Sequence, residues 1–372
     1  MEEISGTSLL EEVNAKHRRI AALLESRRLA AILLRRRENV AWMTAGRSSR
    51  TVASASESAI ASLLIMKDGR RYYFAANNEA PRLADEDFIT LGFEPVVYPW
   101  FNEQLRERVR AVAGDGVIGS DIALASYETT NLSPLRWHLL PGEIARYREL
   151  CSKTAAIVSR VLLELKPGIE TREIEARICY ELHQQGIEPT VLLIAADDRI
   201  RKYKHALTQD SKLKHLGMIN LCARKSGLAV SLTRYVHFGP APQELDIKFR
   251  ASAQIYAALI ASTREGSTSG NCYESARRAY ESQGFSGEEQ EHHQGGMAGY
   301  LEREWLARPD GDEVIGSPQV FAWNPSIQGA KIEDTILLQD GHIEVMTTTP
   351  DLPLITTRTG DRPCISSGVL IR

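Results

Sequence analysis

The chain has 372 residues, 43% of them apolar and 25% charged, and 45 Lys and Arg against 48 Asp and Glu give a net charge of −3. That length can build two domains of ordinary size, and the charge balance argues against general nucleic-acid binding. No apolar run reaches the roughly 18–20 residues that span a bilayer, which argues against a membrane protein. The start, MEEISGTSLLEEVNAKHRR, is polar and acidic where a signal peptide would be basic and then apolar. Cys151, Cys179, Cys222, Cys272 and Cys364 are odd in number and form no CxxC pair. A reduced, cytoplasmic protein without a disulfide framework or structural zinc is expected.

Taken in chain order, Leu9 to about Leu29 reads as an amphipathic helix, with Leu10, Val13, His17, Ile20, Leu23 and Leu24 near one face. The run 30–34 is a buried strand. Two strands, 59–66 and 72–76, flank Lys67-Asp68-Gly69-Arg70, whose Asp-Gly step signals a hairpin. A helix over Leu105–Ala113 and a strand near 117–121 complete an α/β pattern. After Leu140-Pro141-Gly142 the pattern changes to a long helix from Glu143 to about Leu165, closed by Lys166-Pro167-Gly168. Thr171 is placed to cap the next helix, which Gly186 ends. Strands follow near 191–195, 218–223 and 228–238, then helices from Ile247 to about Arg264 and over 273–283. The last part is strand-rich, with turns at Gln339-Asp340-Gly341 and Pro350. Two helices, strands, two more helices and more strands predict two similar halves around one sheet.

Three polar stretches could carry chemistry: 199–208 around His205, the Glu291-His292-His293-Gln294-Gly295-Gly296 string running on to Arg303-Glu304, and Trp323-Asn324-Pro325-Ser326 followed by Lys331-Ile332-Glu333-Asp334. Imidazoles can move protons at neutral pH, and paired glycines let a backbone approach a ligand closely. Taken singly, none of these stretches matches a general metal signature.

Their order resembles the pita-bread family that contains methionine aminopeptidase, aminopeptidase P, prolidase and creatinase. Asn39-Val40-Ala41-Trp42-Met43-Thr44-Ala45-Gly46 is similar to a strand and turn of that family's N-terminal domain. Lys166-Pro167-Gly168, the His205 segment, Gly227–Arg234, the HHQGG string and Ile332–Thr335 follow as anchors of the catalytic-type domain. The resemblance implies an α/β N-terminal domain of creatinase/prolidase type over 1–139 and an α+β pita-bread domain over 140–372, assembled as a homodimer.

The departures from the family pattern are informative. Its metallopeptidases hold two divalent ions with two Asp, one His and two Glu. The positions that match these are Asn220 and Ser231, 11 residues apart, Gly296, Asn324 and Glu333, of which only Glu333 keeps its type. One carboxylate cannot neutralise two divalent ions in a partly buried site. No metal and no other cofactor is therefore expected.

Creatinase implies that this fold can hydrolyse without metal through a histidine, and His205 matches that position. In this reading His205 transfers protons. Glu333 holds a cationic part of a small-molecule substrate or orients an imidazole. His292, His293 and Arg303 line the cavity, with Arg303 clamping a carboxylate. Asn220, Ser231 and Asn324 offer neutral donors and acceptors, and Trp42 closes the cavity. Creatine is a poor substrate candidate because Thr233, not a carboxylate, precedes Arg234. The expected activity is metal-independent cleavage of a C–N bond in a small amino-acid-derived metabolite. A lyase using the same proton transfers and a silent relative that binds a peptide or small ligand remain the alternatives.

Overall fold

The protein is described by a computed structural model covering residues 6–53, 55–359 and 362–372. The chain divides into two compact units, Met1–Arg146 with Ser226–Leu228, and Tyr147–Lys225 with Ala229–Arg372.

In the first unit, helix α1 (Gly6–Arg27) precedes β1 (Ala31–Arg36), helix α2 (Arg37–Met43), the hairpin β2 (Ser58–Met66) and β3 (Arg71–Ala76), and the short α3 (Ala80–Arg82). β4 (Glu94–Tyr98), α4 (Leu105–Ala113), β5 (Ile118–Ser120), β6 (Glu128–Thr129) and α5 (Ser133–Arg136) follow. The six strands form one mixed sheet in the order β4-β3-β2-β1-β5-β6. Strand alternation puts Ala31, Leu33, Leu64, Met66, Tyr72 and Phe74 on one face, where they pack with Val109 of α4 and Ile118.

The segment read as a strand and turn at 39–46 is instead the helix α2 followed by a turn. Asp121 explains the change. Its carboxylate accepts the backbone N–H groups of Arg35 and Arg36, both at 2.9 Å, and the Asn39 amide at 2.9 Å, so it captures the chain as it leaves the sheet. In the turn after α2, Ala45 and Gly46 have φ of +51° and +82°. A Cβ on Gly46 would lie 2.5 Å from the Ser226 carbonyl oxygen, so no other residue fits there.

Helix α6 (Pro141–Glu164) crosses the unit boundary. It is followed by α7 (Thr171–Gln184), β7 (Glu188–Ala196), α8 (Asp198–Lys202), β8 (Leu216–Lys225) and β9 (Leu228–His237). The Thr171 hydroxyl does not cap α7; it donates to the Gln209 carbonyl, and Glu170 holds the cap position. Helices α9 (Gln243–Ser262) and α10 (Ser269–Ser282) come next. The strands β10 (Gly295–Ala298), β11 (Trp305–Leu306), β12 (Gln319–Trp323), β13 (Ser326–Ile327), β14 (Ala330–Lys331), β15 (Asp334–Gln339) and β16 (His342–Val345) then precede β17 (Leu354–Thr359), β18 (Arg362–Ser367) and β19 (Val369–Ile371).

The second unit does not hold one shared sheet. It has a four-stranded sheet, β19-β9-β8-β7, a five-stranded sheet, β11-β10-β12-β15-β16, and two small ribbons. The two larger sheets are joined by a bridge between Thr233 of β9 and Glu333, where the Thr233 N–H donates to the Glu333 carbonyl at 3.2 Å. Arg234 braces that seam through the Asp334 carboxylate at 2.6 Å and the Thr349 hydroxyl at 3.0 Å. The paired glycines have a structural use as well. A Cβ on Gly295 would lie 2.1 Å from the Ala322 carbonyl oxygen, and one on Gly296 2.0 Å from that of Trp305. They let strands, not a ligand, approach closely.

Candidate functional site

The seam between the sheets carries a buried carboxylate. Glu333, immediately before β15, is 1% exposed. Its Oε2 accepts from Asn220 Nδ2 on β8 and from Thr233 Oγ1 on β9, both at 2.6 Å. Its Oε1 accepts from Arg303 Nη2 at 3.1 Å and Asn324 Nδ2 at 3.4 Å, and Lys331 Nζ stands 3.4 Å from Oε2. Burial opposes ionisation, but the Lys331 ammonium, the Arg303 guanidinium and the Thr233 hydroxyl outweigh it and hold this carboxyl at about 2. Glu333 is thus an anion locked by protein donors, and none of its hydrogen-bond partners is an imidazole.

Arg303 is equally engaged. Its Nη1 donates to Ser231 Oγ at 3.0 Å and to the Glu302 carbonyl at 2.6 Å, while Nη2 serves Glu333. Both N–H groups of Nη1 and one of Nη2 therefore have acceptors, so the clamp on a substrate carboxylate expected from the sequence could not use both terminal nitrogens end-on. Its buried Nε has no partner, and neither has the buried Oδ1 of Asn324. Asn220 donates to Glu333, and Ser231 accepts from Arg303. Cys222 lies 3.1 Å from Ser231 Oγ, and burial pushes its thiol up to about 11, so it is no thiolate nucleophile.

Beside this ion cluster stand three imidazoles. His205 lies on the exposed segment after α8, and Lys204 anchors that segment through Glu288 at 2.7 Å and the Ser326 carbonyl at 3.2 Å. His292 and His293 come just before β10. His292 Nδ1 is 2.6 Å from the His293 carbonyl oxygen, which can only accept, so the proton of neutral His292 sits on Nδ1. Its bare Nε2 then accepts from His205 Nε2 at 3.0 Å, which leaves the lone pair of His205 on Nδ1. His293 Nδ1 accepts the Gly295 N–H at 3.2 Å.

Burial, then the Lys331 charge, lowers His205 and brings His292 down to about 2. His293 falls to about 4 through burial and then Arg303 and Lys331. All three rings are neutral at pH 7. His292, His293 and Arg303 open onto a cleft of about 1250 Å³ whose walls also include Trp305, Glu304 and Arg308.

Trp42, expected at the cavity, belongs to the first unit. Its side chain is fully buried in the first unit, where the Lys16 ammonium lies 5.7 Å from the ring centroid. The structure adds two residues for which sequence reasoning gave no role, Lys331 and Lys204. Lys331 lies two residues before Glu333, a spacing that an extended chain places on one face, and that was the available signal.

The model of metallopeptidase family M24 matches residues 145–340. The chain belongs to metallopeptidase family M24. It is thereby a member of a family of hydrolases with the pita-bread fold, preceded here by an α/β N-terminal domain. Solved structures agree on the fold. The prolidase from Pyrococcus horikoshii OT3 is 19% identical with a TM-score of 0.74, covering 90% of this chain and 98% of that one. Dipeptidase PepE from Mycobacterium ulcerans is 15% identical with a TM-score of 0.76, covering 92% and 97%. The Xaa-Pro dipeptidase from Bacillus anthracis is 16% identical with a TM-score of 0.73, covering 97% and 100%. No curated protein sequence matches the chain. Among the described residues no helix is long and apolar enough to cross a membrane.

The family name implies metal, and the donor set can be tested against it. Asn220, Ser231, Gly296, Asn324 and Glu333 offer one carboxylate, whose oxygens already accept from Arg303 and three neutral donors and pair with the Lys331 ammonium. Two divalent ions do not fit there, since Lys331 and Arg303 supply the positive charge that Glu333 balances. A different set exists among the described residues: one ring nitrogen each of His205, His292 and His293, all within 4.8 Å of one another.

Proposed function

We propose that this chain is a hydrolase that cleaves a C–N bond in a small amino-acid-derived substrate without a dinuclear metal centre, with His205 as its proton-transfer group. The observation that carries this reading is the pairing of Glu333 with Lys331 and Arg303 beside three neutral imidazoles. His205 Nδ1 takes a proton from water, whose oxygen attacks the substrate carbon. The proton then passes from His205 to the leaving nitrogen as the C–N bond breaks. His292 Nε2 accepts from His205 Nε2 throughout and shares the transient positive charge. Lys331 disfavours a lasting imidazolium, so the proton is passed on. The unpartnered Arg303 Nε and Asn324 Oδ1 offer one donor and one acceptor for the substrate. The proposal includes a cytoplasmic homodimer with domains over 1–139 and 140–372, and light scattering tests the dimer.

The engagement of both Glu333 oxygens by internal partners favours a second reading, a relative that binds a small ligand without turning it over. One experiment separates the two. Chelator-treated protein is screened against dipeptides and against amidino and acyl derivatives of amino acids. Turnover that falls about 10²–10⁴-fold in His205→Ala, with ligand binding kept, supports the hydrolase. Full turnover in that variant removes His205 from the mechanism. Ligand binding without turnover of any compound supports the second reading, and turnover only after metal is added restores metallopeptidase chemistry.

A further inference from the structure

We propose that His205, His292 and His293 capture a single transition-metal ion of the imidazole-preferring kind, such as Zn²⁺ or Co²⁺, and that the bound ion switches off proton transfer by His205. The inhibitory half rests on the function proposed above, whereas the binding half stands without it.

Three features of the cluster suit an ion. The ring nitrogens lie within 4.8 Å of one another. His292 is already oriented as metal-bound histidines are, with Nδ1 donating to the His293 carbonyl at 2.6 Å and Nε2 facing His205. The two Nε2 atoms are 3.0 Å apart. An ion at about 2.05 Å from both would subtend roughly 95°, and parting them by about 0.3 Å gives the tetrahedral angle zinc prefers. His293 already has one ring nitrogen within 4.8 Å of the ligating atoms of the other two rings, and so joins as the third ligand. The approach is open, because His205 is exposed and the other two rings line the cleft.

The set has imidazole nitrogens and no free carboxylate, which selects borderline transition ions over Mg²⁺ and Ca²⁺. The charges of Lys331 and Arg303 act on these rings and oppose a dication, while Glu333 partly offsets them, so capture is reversible. Inhibition follows from the tautomer. Coordination through His205 Nε2 moves that ring's proton to Nδ1 and so occupies the lone pair that would take a proton from water. No proton is gained or lost by the protein.

The test uses the full-length chain after chelation and dialysis, titrated with Co²⁺ by visible absorption and with Zn²⁺ by calorimetry. One ion per chain is expected, with affinity about tenfold weaker or more in both His292→Ala and His293→Ala. No stoichiometric ion, or affinity unchanged in both variants, overturns the capture site. Turnover by ion-free protein that one equivalent of Zn²⁺ abolishes supports both halves. Turnover by ion-free protein that binds no ion removes the capture site and leaves the proposed function standing. An ion that binds and is needed for turnover keeps the site, but overturns its inhibitory role and the metal-free reading together.

Discussion

Each unit buries an ion network, and the two differ in charge balance. In the first unit, Lys16 is fully buried and meets Glu12 at 2.6 Å and Glu143 at 2.8 Å, while Arg146 meets Glu12 at 2.7 Å. Two acids face two bases, with Trp42 laid over Lys16. In the second unit a single carboxylate, Glu333, faces Lys331 and Arg303 beside neutral imidazoles and an open cleft. A balanced, closed network holds a fold together. An unbalanced one at a cleft leaves a field that acts on whatever enters, and here that field adds to burial in keeping the imidazoles unprotonated.

The largest expected effect comes from Glu333→Gln, which leaves Lys331 and Arg303 buried without a counter-charge and costs about 3–5 kcal/mol in chemical denaturation. Lys16→Met, which strips the cation between Glu12 and Glu143, loses about as much. The contrast lies in a second readout: Lys16→Met leaves the Co²⁺ titration of the histidines unchanged and Glu333→Gln alters it. Glu333→Gln with wild-type stability would break the comparison.

Acid titration gives a smaller and graded effect. Unfolded imidazoles take up protons near 6.5, but folded His293 and His292 resist until about 4 and about 2. The unfolded chain therefore binds more protons as pH falls below 6.5, and stability drops by about 1.4 kcal/mol per pH unit for each ring. Glu333, folded at about 2 against 4.5 unfolded, adds to the loss only below pH 4.5. Melting temperatures followed from pH 7 to 4 check this, and a flat profile would mean that the imidazoles are not held neutral.

The smallest change is a neutral reference. Thr268 caps α10 by accepting the Asn271 N–H at 3.2 Å, so Thr268→Ala costs about 1 kcal/mol in denaturant, independent of pH and of added ions.

Much of the fold was legible in local pattern. The Leu105–Ala113 helix, the hairpin around Asp68-Gly69 and the Gln339-Asp340-Gly341 turn, where Asp340 and Gly341 take φ of +51° and +74°, follow from periodicity and turn chemistry. The Asn39–Gly46 segment was misread because the chain is bent there by Asp121, some 80 residues away. In the candidate site, His205, His292, His293, Arg303 and Glu333 were named through the resemblance to the pita-bread family, and the structure brings the first three together and joins the last two. The burial of Trp42 beside Lys16 was not legible, because an aromatic ring near a buried lysine leaves no mark in local sequence.

Sequence alone determined most of the elements, the family and the residue types available at its ligand positions, because periodicity, turns and chemical identity are properties of short segments. Tertiary structure alone decided which donors are already engaged. Whether Arg303 can hold a ligand, where the proton of His205 sits and why Glu333 stays charged all depend on partners that approach from separate strands and loops, and only folding brings those atoms within hydrogen-bond distance.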